Sequence, residues 1–162
     1  MAFCTRVFCR GAIAPSLSEL LVHLRQNGQS AMIVGGASSR DLLSLDWTEV
    51  ALGYEDGSDP LTIRCHRTGD TSGAAALRAE VADFVDDLTE LPPSPERDRV
   101  AAHLQASRFV IVVEFPPSGA SASGYECNGW LMNLFVSQAD GLVQCDGIGF
   151  YDEDDEIILR LG

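Results

Sequence analysis

Apolar residues recur along this chain with two periods, and each change of period marks the start of an element. Phe3 to Cys9 alternates like a strand and is followed by a turn containing Gly11 and Pro15. Ser16 and Glu19 have the spacing of a capping box, and Leu17, Leu20, Leu21 and Leu24 then form the apolar stripe of a helix that stops at Gly28. Ala31 to Val34 predicts a short strand closed by Gly35-Gly36, and Ser39 to Leu45 has room for one or two helical turns. Trp47 to Tyr54 and Leu61 to His66 predict a hairpin about Asp56-Gly57. In it Val50, Leu52 and Tyr54 share one face with Leu61, Ile63 and Cys65, leaving Thr62, Arg64 and His66 on the other.

The second half is more helical. Leu77, Val81, Phe84, Val85 and Leu88 define the buried stripe of a helix over Ala74 to Leu91, which Pro92-Pro93 ends. Ser94-Pro95 supplies an N-cap and a first-turn proline for a helix to about Ala106. Phe109 to Phe115 is almost wholly apolar and predicts a strand near the centre of a sheet. The Pro, Ser, Gly and Ala residues of 116–124 predict a flexible loop before a helix over Asn128 to Ala139. Leu142 to Cys145, Gly149 to Tyr151 and Ile157 to Leu161 close the chain as short strands. The expected fold is α+β in one domain over 1–162: a mainly antiparallel sheet of about five to seven strands, with three or four helices packed on it.

Charge narrows the function classes. The chain has 24 Asp and Glu against 11 basic residues, every one an arginine, and a formal charge of −13. Without lysine there is no P-loop lysine, no Schiff base and no lysine general base. The acidity argues against a nucleic-acid partner, which needs a basic face to displace counterions. No apolar run is long enough to span a membrane. Cys4, Cys9, Cys65, Cys127 and Cys145 form an odd set without a CxxC pair, which fits reduced thiols, a cytoplasmic location and no metal.

Two candidate surfaces carry the excess charge. Glu80, Asp83, Asp87 and Glu90 recur at helical spacing and predict an acidic stripe on the 74–91 helix. Asp152 and Asp154 stand at the tip of the last hairpin. With Glu156 they begin a calcium-loop pattern, but its sixth position is Ile157 rather than glycine. Together these carboxylates suggest a non-enzymatic module that binds a basic protein, by analogy of size and charge with bacterial immunity proteins; the sequence leaves a homodimer open. No cofactor is implied.

The alternative is an enzyme for a phosphate-bearing ligand. Val34-Gly35-Gly36-Ala37-Ser38-Ser39-Arg40-Asp41-Leu42-Leu43 resembles the strand–turn–helix of CCA-adding nucleotidyltransferases, whose Gly-Gly turn and Arg-Asp-Leu-Leu run cradle a nucleoside triphosphate. The resemblance implies phosphate binding at Gly35, Gly36, Ser38, Ser39 and Arg40. The segment has one extra serine and lacks the Asp-x-Asp metal pair, since Asp46 and Glu49 are spaced differently. Asp41 and Asp46 beside Arg40 are expected to compete for its guanidinium. Cys65-His66 places a thiol beside an imidazole, but adjacent strand residues face opposite ways; a dyad would need His23 or His103 from across the fold.

Overall fold

The computed structural model describes residues 2–69 and 71–162. Eight strands are distributed along the chain: β1 (Cys4–Cys9), β2 (Met32–Ile33), β3 (Glu49–Gly53), β4 (Leu61–Arg67), β5 (Phe109–Glu114), β6 (Gly141–Cys145), β7 (Gly149–Tyr151) and β8 (Ile157–Arg160). They form one antiparallel sheet in the order β2-β3-β4-β5-β1-β6-β7-β8. The helices are α1 (Leu17–Gln26), α2 (Ser39–Leu43), α3 (Thr71–Thr89), α4 (Pro95–Gln105) and α5 (Ala122–Ala139). The class is α+β, as expected. The sheet is one strand larger than expected because two-residue β2 and the closing strands β7 and β8 all join it. The fifth helix is short α2.

Strand alternation divides the core into two. Val7, Cys9, Ile63, Cys65, Ile111, Val113 and Val143 project to the face covered by α1 and α5. Phe8, Val110, Val112, Leu142 and Phe150 project to the other, under α3 and α4. Central β5, buried on both faces, therefore reads as a continuous apolar run. Full burial of each such side chain contributes about 1.5–3 kcal/mol, so the two faces together supply the main stabilisation. On the α3 face, Phe84 adds edge-to-face contacts to Phe8 and Phe150, both at 5.7 Å between ring centroids.

Local signals set the boundaries. Ser16 and Glu19 form both halves of the capping box of α1. At its other end Gly28 has φ 79°, its N–H bonds Arg25 O and the next N–H bonds Leu24 O, which is a Schellman stop. Val50 pairs with Ile63 and Leu52 with Leu61, so the residues that alternation puts on one face of the hairpin do share it. Trp47 lies before β3 rather than in it: its indole N–H donates to Pro15 O at 2.8 Å and pins the loop to the start of α1. The segment 116–124 is only partly a loop, because α5 begins at Ala122. Among the described residues, no helix is long and apolar enough to cross a membrane.

Candidate functional site

Glu80 is not part of an exposed acidic stripe. It lies three residues after Leu77 and four before Phe84, both buried, so helical geometry turns it towards the sheet. There its Oε2 accepts from Arg6 Nε at 2.7 Å. Arg6 Nη1 also donates to Asp146 Oδ1 at 2.7 Å and Gln144 Oε1 at 2.9 Å, and its guanidinium carbon stands 5.2 Å from the Phe84 ring centre. Asp83 and Asp87 remain exposed on α3, whereas Glu90 is exposed in the turn just beyond it, because the helix ends at Thr89 rather than Leu91. Asp154 is exposed at the tip of the β7–β8 connection, but Asp152 is half-buried and folds its own turn, its Oδ1 accepting from the N–H groups of Asp154 and Glu156, both at 2.9 Å. Among the described residues, neither surface presents a large exposed apolar side chain.

Asp152 also lines a cavity of about 340 Å³ with Arg10, Arg99, His103, Asp140 and Glu153. Its two arginines are answered internally, Arg10 by Asp140 at 2.8 Å and Arg99 by Glu153 at 3.0 Å. His103 is buried, which holds its pKa below the ordinary histidine value, and its Nε2 is 2.7 Å from Phe8 O. A neutral ring must donate from Nε2 to that carbonyl, so this imidazole is committed to the backbone.

The Gly35–Arg40 turn is built differently from a phosphate cradle. Gly35 and Gly36 have φ 80° and 76°, conformations glycine adopts readily, and every residue from Val34 to Asp41 is exposed. Ser38 caps α2, with its Oγ accepting from Asp41 N–H and its own N–H facing Asp41 Oδ2. An internal carboxylate thus occupies the place an anion would take. Ser39 opens this five-residue helix, exposed. Arg40 also departs from expectation: among the described residues it makes no ion pair with Asp41, Asp46 or any other carboxylate, because its side chain extends from the exposed face of α2.

The thiols are poor nucleophiles. Burial pushes the pKa values of Cys65, Cys127 and Cys145 up to about 11 and that of Cys9 well above its usual value, so these groups are protonated at neutral pH. Cys65 lies under the α1/α5 layer, whereas α4, which carries His103, packs on the opposite face. Among the described residues, no three His, Cys, Asp or Glu side chains stand where they could share a metal ion.

Sequence periodicity missed the edge of the sheet at β2. Met32, Val34, Leu43 and Leu45 are between 46% and 69% exposed. A Cβ placed on Gly53 would lie 3.1 Å from Met32 Cγ and 3.7 Å from Val34 Cγ2, so both side chains lean over the same bare stretch of β3. On α2, Leu42 packs inward while Leu43 faces solvent. Carboxylates flank the apolar groups: a cavity of about 370 Å³ is lined by Ile33, Asp41, Asp46 and Glu49, and another of about 400 Å³ by Met32, Glu55 and Asp56. From Met32 to Pro60 the acidic residues are Asp41, Asp46, Glu49, Glu55, Asp56 and Asp59, and the basic one is Arg40. No known protein family, curated protein or solved structure matches the chain.

Proposed function

We propose that this protein is a non-enzymatic, cytoplasmic binding module for a basic protein, and that the partner docks on the β2–α2 edge. The observation that carries the reading is the coincidence of exposed Met32, Val34, Leu43 and Leu45 with a carboxylate rim. Protein interfaces combine a dehydrated apolar centre with a polar rim, and complementary charge accelerates encounter. The acidic face of α3 offers charge alone. The two cavities beside β2 are shallow and acid-lined, suited to the arginine or lysine side chains of a partner. The analogy is with small acidic proteins that mask a basic one. Nothing at Gly35–Arg40 favours the alternative of a phosphate-binding enzyme, since the Ser38 and Asp41 N–H groups already face acceptors, Asp41 Oδ2 and Ser38 Oγ.

The test is paired capture from the native cell lysate with the wild type, a Met32→Ser/Leu43→Ser variant and an Asp83→Asn/Asp87→Asn variant. The expected result is a basic protein retained at low salt by the wild type and by the α3 variant. Loss of two anchors, each worth about 1–2 kcal/mol, should weaken capture by the edge variant roughly thirtyfold to a thousandfold. Equal capture by the folded edge variant, or no salt-sensitive basic partner at all, refutes the proposal.

A further inference from the structure

We infer that the cavity at the β4–β5 end of the sheet binds a small organic anion: a carboxylate or phosphate monoester bearing a short apolar group. β4 ends at Arg67 and β5 begins just after Arg108, and the two strand ends are joined by Thr68 N–H donating to Arg108 O at 3.2 Å. Residues 12–14, leaving β1, and Leu45-Asp46, leading into β3, wall a space of about 350 Å³ between them. This is at the lower end of the size range of small-molecule pockets, about 300–1,000 Å³.

The charge of this cavity runs against that of the molecule. The cavities beside β2 are lined by carboxylates without an arginine, whereas this one has Arg67 and Arg108 against Asp46. Arg6, Arg10, Arg64 and Arg99 each face a carboxylate; among the described residues Arg67 and Arg108 do not. Arg67 Nη1 donates to Trp47 O at 2.8 Å, but Nη2 is buried with no acceptor among the described residues. A buried donor left unanswered forfeits its hydration without a replacement partner. An oxyanion that drew the guanidinium towards the cavity would give Nη2 an acceptor, the guanidinium fork matches the oxygens of carboxylate or phosphate, and exposed Arg108 adds a second positive charge to the same lining. Ile13, Leu45 and Phe109 supply an apolar wall, so an organic anion fits better than an inorganic one.

This inference does not rest on the partner reading: it concerns a different cavity and a small ligand, although Leu45 and Asp46 border both surfaces. Calorimetric titration with benzoate and with phenyl phosphate should give saturable binding of at least one, and the pair separates carboxylate from phosphate as the favoured head group. Inorganic phosphate should bind at least about tenfold more weakly, and uncharged benzamide likewise. Arg108→Gln should lower the affinity for the favoured anion by about tenfold or more with the melting temperature unchanged, whereas Arg40→Gln should leave it as it was. Arg67→Gln loses a backbone contact and can fail to fold, so Arg108 is the decisive site. No saturable binding of either aromatic anion, equal binding by Arg108→Gln, or inorganic phosphate binding as tightly as phenyl phosphate overturns the inference.

Discussion

Replacing Glu80 and replacing its neighbours on α3 should have opposite effects on stability. Glu80 is 25% exposed and bonded to Arg6, itself 15% exposed. A charge-assisted hydrogen bond contributes about 1.5–3 kcal/mol, and partial solvent screening puts this one in the lower part of that range. Glu80→Gln keeps an oxygen acceptor but loses the charge, so it should destabilise by about 1–2 kcal/mol. Arg6→Met should cost more. It leaves two carboxylates facing a site with no cation, and the 3–5 kcal/mol typical of a fully buried pair falls to roughly 2–3 with Asp146 35% exposed. Asp83→Asn with Asp87→Asn instead relieves a repulsion between exposed charges four residues apart, and should be neutral or stabilising by a few tenths of a kcal/mol. Urea unfolding at neutral pH, with the slope m as a check that the unfolded state is unchanged, measures all three. A Glu80→Gln protein within about 0.5 kcal/mol of the wild type would show that Glu80 is one more solvated acid, and the reasoning about its direction on α3 would fail.

Two further outcomes follow from buried groups. Because burial lowers the His103 pKa, the folded state binds this proton less readily than the unfolded state, whose value is near 6.5. Its contribution is therefore complete above that pH and is lost as pH falls towards the lower folded value; unfolding between about pH 7 and 5.5 should be less pH-dependent in His103→Gln, and identical slopes count against it. At Gly149, φ is 143° and a Cβ would collide with Leu159 O, so Gly149→Ala should cost about 3 kcal/mol or more, or displace β8. Gly57→Ala, with φ 79° and nothing within 4 Å, should cost only about 1 kcal/mol in the same thermal unfolding comparison.

What was legible in the sequence depended on local physics. The capping box of α1, the proline that opens α4 and the apolar run of β5 act within a few residues, and each appears where its pattern placed it. The start of α5 was hidden by composition. Gly124 reads as a loop residue, yet it is in the helix because a Cβ there would stand 2.9 Å from Tyr54 Cζ; the glycine serves close packing rather than a turn. The spacing of Glu80 to Leu77 and Phe84 is local, but its partner, Arg6, is 74 residues away, so no local pattern names the pair. The exposed β2–α2 edge was hidden for a related reason. Periodicity identifies apolar residues that belong on one face, but whether a face is covered depends on where distant helices dock. Met32 and Leu43 look like core residues until the layers are assembled.

The absence of lysine has a structural counterpart in how the arginines are used. Arg6 reaches Glu80, Gln144 and Asp146 at once, Arg64 joins Glu49 to Glu114, and Arg10 holds both oxygens of Asp140. A guanidinium can do this because its donors are fixed in a planar fork, whereas a lysine ammonium acts as a point charge on a flexible stem. Arg25 and Arg97 are turned to backbone carbonyls instead. Much of the positive charge is thus held against the protein's own acceptors, and the carboxylates left over are unevenly placed, along α3 and around β2. At physiological salt the screening length is about 8 Å, so only carboxylates close to a docked partner affect its association. The two acidic regions therefore act separately. The one around β2 is the one in which charge and exposed apolar area coincide, and an interface needs both. On α3, where only charge is present, repulsion between like neighbours is a small cost to the fold and solvation is a sufficient account of why those residues are acidic.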